Sequence, residues 1–100
     1  MDTQKTPAPS KFTLPTILSL SAAEELREKF LERLVVGSDL KVDASEVNAI
    51  TTPCLQVIIS AGNSFEESGF RLSIENPSHP VIDAFNDLGF SDLINKWSSK

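Results

Sequence analysis

The chain has one cysteine, one histidine and only four glycines in 100 residues, and each scarcity removes a class of chemistry. A lone thiol, Cys54, cannot close an internal disulfide. One histidine, His79, and one cysteine without paired spacing cannot build a metal site, so neither metal nor cofactor is expected. Gly37, Gly62, Gly69 and Gly89 are too dispersed for a dinucleotide fingerprint or a phosphate loop. Lysine and arginine number 9 against 14 acids, a formal charge of -5, and they are scattered from Lys5 to Lys100. Binding nucleic acid or an anionic membrane needs a basic face, so no nucleic-acid partner is expected. Apolar runs are only a few residues long, which excludes direct membrane insertion. Met1 to Lys5 lacks the hydrophobic stretch of a secretory signal, and a cytoplasmic location is expected.

What remains is ordinary soluble composition, 40% hydrophobic and 23% charged. This length suits one domain with a single core. Residues 1–11 carry Pro7, Pro9 and small polar side chains with little to bury, and are expected to form a disordered tail. The domain is expected over 12–100. Phe12 to Leu18 reads as an edge strand or two short pieces, because Pro15 cannot sit in a central ladder. Ser21 and Glu24 have capping-box spacing. Behind them Leu26, Phe30 and Leu34 form one helical stripe, stopped at Gly37. Leu40 to Asp43 is a short strand. A second helix carries Leu55, Ile58, Ile59 and Phe65, with Gly69 as its stop. Phe70 to Ile74 alternates with period two, as a half-buried strand does. Pro80 suits the start of a third helix whose buried stripe is Val81, Ile82, Phe85 and Leu88. Phe90, Leu93, Ile94 and Trp97 fit either a last strand or a last helical turn. Alternation of strand and helix predicts an α/β layer: a central mixed, mostly parallel sheet of about four or five strands, flanked by about three main helices.

The most informative stretch runs from Val42 to Leu55. It predicts a buried strand, a turn containing Ser45, and a helix start with two hydroxyls, Thr51 and Thr52. Thr52 is a natural N-cap and Pro53 a natural first helical residue. A helix N-terminus has positive partial charge and free donors. A hydroxyl exposed there can carry a phosphate or offer a polar anchor to a partner; one that is not exposed is merely a cap. Catalysis has little support. A Cys54–His79 pair lacks a third orienting group. Cys54 near a helix start is a candidate reactive thiol if exposed, and a packed small residue if not.

Taken together, these residues resemble the STAS domain, the fold shared by bacterial anti-sigma factor antagonists and the cytoplasmic ends of sulfate transporters. The resemblance covers about residues 12 to 95. Its main motif is an apolar strand ending in aspartate, a small turn, then an aspartate–serine–serine–glycine–leucine helix start. Val42-Asp43-Ala44-Ser45 matches the strand end, Val47 and Ile50 the apolar positions, and Thr51-Thr52-Pro53-Cys54-Leu55 the helix start. Ile17 to Ala23 with Leu26 and Phe30 looks like the first helix and its lead-in. Val81, Phe85, Leu88, Gly89, Phe90 and Leu93 look like the closing helix. The resemblance implies a single-domain STAS-like fold and a non-enzymatic, protein-binding regulator. In the antagonist branch a kinase-type anti-sigma factor phosphorylates the helix-start serine. That position is Thr52 here, and the preceding aspartate is Thr51. Pro53 and Cys54 replace the second serine and the glycine. Small stand-alone members also accompany chemotaxis genes and lipid-transporting ABC systems, and Thr51-Thr52 with Cys54 to Val57 looks most like the chemotaxis-associated forms. The implied partner is therefore a kinase-type anti-sigma factor, a chemotaxis histidine kinase or a transporter ATPase, met through Thr52, Thr51 and Ser45. The alternatives are a thiol sensor centred on Cys54, and a STAS subunit of a lipid transporter.

Overall fold

The computed structural model describes residues 10–99. The elements in chain order are β1 (Ser10–Thr13), β2 (Ile17–Leu18), α1 (Ala22–Val36), β3 (Leu40–Asp43), β4 (Ala49–Ile50), α2 (Thr52–Glu67), β5 (Leu72–Glu75), α3 (His79–Asp87), α4 (Ser91–Trp97) and β6 (Ser98–Ser99). A four-stranded sheet has the order β1-β3-β5-β6, and β2 pairs with β4 in a separate two-stranded sheet. Every pairing is parallel. The predicted α/β class stands, with a fourth short helix. Both expectations for the C-terminus are met in part: a helix through Trp97, then a two-residue strand on β5.

Strand pairing starts at Ser10, inside the stretch expected to be tail. The rest of that stretch, residues 1–9, lies outside the described residues. Pro15 separates β1 from β2, as its missing N–H requires. Leu40, Val42, Leu72 and Ile74 point to one face of the sheet and are buried. Lys11, Thr13 and Lys41 lie on the opposite face and are exposed. Glu75 bridges this open face, 3.9 Å from Lys11 and 3.8 Å from Lys41. Such solvated pairs contribute little to stability.

The helices fill the other face. Leu26 and Phe30 of α1, Leu55, Ile58 and Phe65 of α2, and Val81 and Phe85 of α3 are all buried. Phe30 meets Phe12 edge to face, with centroids 5.5 Å apart. Ile58→Ala is expected to cost about 2 to 5 kcal/mol, since its burial is nearly complete and the cavity cannot fully collapse. Urea unfolding with no loss would show that this face of α2 is not the packed one.

Four local expectations need correction. Ser21 has helical dihedrals and makes no side-chain cap; its hydroxyl meets that of Ser19 at 3.1 Å instead. The chain enters α1 through a turn in which Ala22 N–H bonds the Ser19 carbonyl, so the capping box is not formed. Ile59 on the apolar stripe of α2 and Ile82 in the expected buried stripe of α3 are half-buried rather than core. Leu88 is 42% exposed, although the helical stripe of α3 predicts it buried. Leu88 keeps the helical bond to the Ala84 carbonyl as the C-cap of α3, and its side chain lines the open hollow beside Thr51 and Thr52 instead of the core.

At its far end α2 is tied to α4. The Trp97 indole N–H donates to Glu66 Oε2 at 3.0 Å, and Lys96 Nζ lies 3.2 Å from the same oxygen. The indole bond first, then Lys96, hold the Glu66 carboxyl below the ordinary glutamate value of 4.5. A lowered folded value means the contact contributes fully above the unfolded value and is lost as pH falls through the folded one. Acid titration below pH 4.5 should therefore shift Trp97 emission before global unfolding. The same titration of Glu66→Gln should show no such step; an identical step in both proteins would assign it to another group.

Candidate functional site

The start of α2 is placed by the small sheet beneath it. Asn48 N–H donates to the Thr16 carbonyl at 2.7 Å, and β2 then runs beside β4. The next residue, Thr51, donates twice to the Leu18 carbonyl. Its backbone N–H and its Oγ1 both lie 3.1 Å from that oxygen. Its own carbonyl accepts the first helical bond, from Leu55 N–H at 3.0 Å. Thr51 is thus the N-cap residue, with extended backbone at φ -91° and ψ 158° and no side-chain cap bond. Thr52 is the first helical residue and Pro53 the second. The expected cap therefore moves back by one. The physical reason is the β2 edge: its free carbonyl at Leu18 claims the first hydroxyl and fixes the extended backbone one residue earlier.

The shift separates the two threonines. The Thr51 hydroxyl is half-buried and engaged. Thr52 is exposed, and its hydroxyl makes no hydrogen bond among the described residues. The first turn of α2 itself contains no acid, and the acid that stands by this helix start is Asp87 of α3, on the hollow shared with Thr51 and Thr52.

Cys54 is 0% exposed, and its S–H donates to the Ser19 carbonyl at 3.2 Å. It is a small core residue that closes the gap between α2 and the β2–α1 connection. The exposure on which the reactive-thiol expectation depended is therefore not met in this structure.

Ser45 lies in the preceding turn and is exposed. Its backbone N–H donates to Asp43 Oδ1 at 3.0 Å. That bond, helped by the Ser45 hydroxyl, holds the Asp43 carboxyl below its ordinary value of 3.8. Among the described residues no hydrogen bond joins Ser45 to Thr51 or Thr52. The turn is instead fastened to α3: Ser78 N–H donates to the Ala44 carbonyl at 3.2 Å, and Ser78 Oγ to the Val47 carbonyl at 2.7 Å. Ser78 is a site-building residue that sequence reasoning missed. Its position before a Pro-containing helix start was the available signal.

Exposed apolar side chains lie on the segments that hold this helix start. Ile17 is 61% exposed and Leu20 69%, on β2 and the connection whose carbonyls hold Thr51 and Cys54. On the other side, Ile50, Leu55, Ala84 and Leu88 join Thr51, Thr52 and Asp87 around a hollow of about 160 Å³. Among the described residues no group of three histidine, cysteine, aspartate or glutamate side chains could hold a metal ion. No described helix is long and apolar enough to cross a membrane.

The class is an α/β domain with a parallel sheet and an exposed, hydroxyl-bearing start to α2. The chain belongs to the STAS domain family: the family profile described as "Mlab, STAS domain" matches residues 1–95. Among characterised proteins it is similar to the anti-sigma-B factor antagonist of Bacillus subtilis (strain 168), at 27% identity over 78 residues, or 78% of this chain and 72% of the relative.

Proposed function

We propose that this chain is a non-enzymatic regulatory module that docks a kinase or ATPase partner through the surface around Thr52, and that phosphate on Thr52 releases the partner. One observation carries the reading. Of the two adjacent hydroxyls at the start of α2, only Thr52 is exposed and uncommitted, and it shares a hollow with the exposed apolar Leu88. Family membership and the relative named as an anti-sigma-B factor antagonist support a role exerted by contact with another protein. The resemblance narrows the partner to a kinase-type anti-sigma factor, a chemotaxis histidine kinase or a transporter ATPase.

The switch is electrostatic. A phosphate adds about -1.5 to -2 charges at neutral pH. At the start of α2 the helix itself tolerates that charge, because the free N–H groups and the dipole favour an anion. A partner that covers Ile17, Leu20 and Leu88 must instead strip water from it, which is costly unless a cation is supplied. Phosphorylation therefore acts on the interface and leaves the fold intact. The test is capture from the native host with the tagged chain, comparing wild type with Thr52→Glu, together with phosphate mapping of the endogenous protein. A single specific partner that the glutamate variant loses is the expected result. Equal capture by both proteins would reduce Thr52 to a structural residue.

A further inference from the structure

A second concavity runs along the packed pair α1 and α2, and it begins at the residue next to Thr52. Its volume is about 410 Å³. Leu34, Val57 and Ala61 form its floor, with Leu31 on the α1 lip and Ser60 and Ser64 on the α2 lip. Leu31 is 46% exposed although it is large and apolar. From Pro53 to Ser64 the groove follows about three turns of α2, roughly 17 Å at the helical rise. Beyond Gln56, the small side chains of Ser60 and Ser64 on the α2 lip let another backbone come close. Such a trough, apolar below and open above, has the form that takes one face of an amphipathic helix.

The charges beside it choose the occupant. Glu24 and Glu28 stand one turn apart on the exposed side of α1, and Glu67 lies at the far end of α2. Arg27 is the one cation lining the groove. Among the described residues none of these four has an ion-pair partner. A second copy of this chain would bring the same acidic lip and the same net charge of -5, so self-association is opposed. A helix with lysine or arginine on its flanks is favoured, and an acid one turn in would meet Arg27.

We infer that the groove between α1 and α2 seats a basic-flanked amphipathic helix of the same partner that covers Thr52. This rests on the docking role proposed above, because Pro53, which lines one end of the groove, directly follows Thr52 in the chain. The partner thus has two parts to its footprint: a surface that phosphate at Thr52 can repel, and a helix laid along α2 that phosphate does not touch. Release by phosphorylation then weakens only one half of the contact.

Photo-crosslinking side chains at Leu20 and at Ser60, installed separately in the full chain in its host, test this directly. Both should capture the same protein. Peptide mapping should place the Ser60 crosslink in a segment with apolar residues at three- and four-residue spacing and lysine or arginine on its flanks. Leu31→Glu should weaken binding of that captured protein about tenfold, because it sets a charge against the apolar face of the seated helix. Glu28→Lys should slow its association. Trp97 emission and the urea midpoint confirm that both variants are folded. If Leu20 captures a partner and Ser60 captures none, or if Ser60 captures an acidic segment or a second copy of this chain, the groove assignment is overturned while the Thr52 docking role survives. If Ser60 alone captures a basic helix, the shared footprint and the Thr52 docking role are both overturned. If neither captures anything, both fail. Unchanged affinity of Leu31→Glu, with Thr52→Glu weakened in parallel, also removes the groove alone.

Discussion

Trp97→Ala is expected to lower stability by about 3 to 5 kcal/mol. Trp97 is nearly fully buried and is the last large side chain of the core. It lies directly over Gly62 of α2, so close that a Cβ built on Gly62 would overlap the indole ring. That contact, and the indole bond to Glu66, hold α4 against α2. β6 follows immediately and pairs with β5, so loosening Trp97 also frees the sheet edge. Truncation leaves a cavity that neither the glycine nor the rigid helix can fill. The companion substitution is Gly62→Ala, which overpacks the same contact and should cost about 1 to 3 kcal/mol. In combination the two should be less than additive, because an alanine at 62 no longer meets a ring. Circular dichroism in urea measures all three proteins, since the only tryptophan is lost in two of them. Full additivity would mean that the glycine is small for some other reason.

Thr52→Glu should weaken binding to the natural partner about tenfold or more, which corresponds to about 1.4 kcal/mol per decade. Its stability should stay within about 0.5 kcal/mol of wild type, or rise slightly, because an acid at the first helical residue suits the dipole. Thr52→Ala should be equally harmless to the fold, since its hydroxyl makes no bond among the described residues, and should leave binding constitutive. Thr51→Ala is the contrast. It removes the hydroxyl bond to the Leu18 carbonyl and should cost about 0.5 to 1.5 kcal/mol. Calorimetric titration of the captured partner and thermal melts of the three variants separate the roles. Should Thr51→Ala keep full stability while Thr52→Ala loses it, the two hydroxyls have been assigned in the wrong order.

The same pair shows how far a linear reading reaches. Thr-Thr-Pro before an apolar run announces a helix start, because proline fixes φ and threonine seldom continues inward. It cannot say which threonine is held, since that depends on the Leu18 carbonyl, 33 residues upstream. Cys54 is similar. Its residue type allowed either a reactive thiol or packing, and the Ser19 carbonyl above it decided for packing. Leu88 shows the opposite error. Its spacing from Val81 and Phe85 was helical and apolar, yet its side chain lines an open hollow shared with α2.

What the sequence determined by itself is the order and period of the elements. Apolar spacing, Gly37, Pro15 and the Pro-containing helix starts are local signals, and local backbone sterics obey them. One face of the sheet was legible in the same way, because alternation in a strand assigns faces without any neighbour. Only the tertiary structure decided which hydroxyl is free, which apolar side chains stay outside, and that α1 and α2 leave a groove between them. Those outcomes depend on carbonyls, ring edges and helix ends brought together from distant parts of the chain, and no residue carries a mark of its distant neighbour.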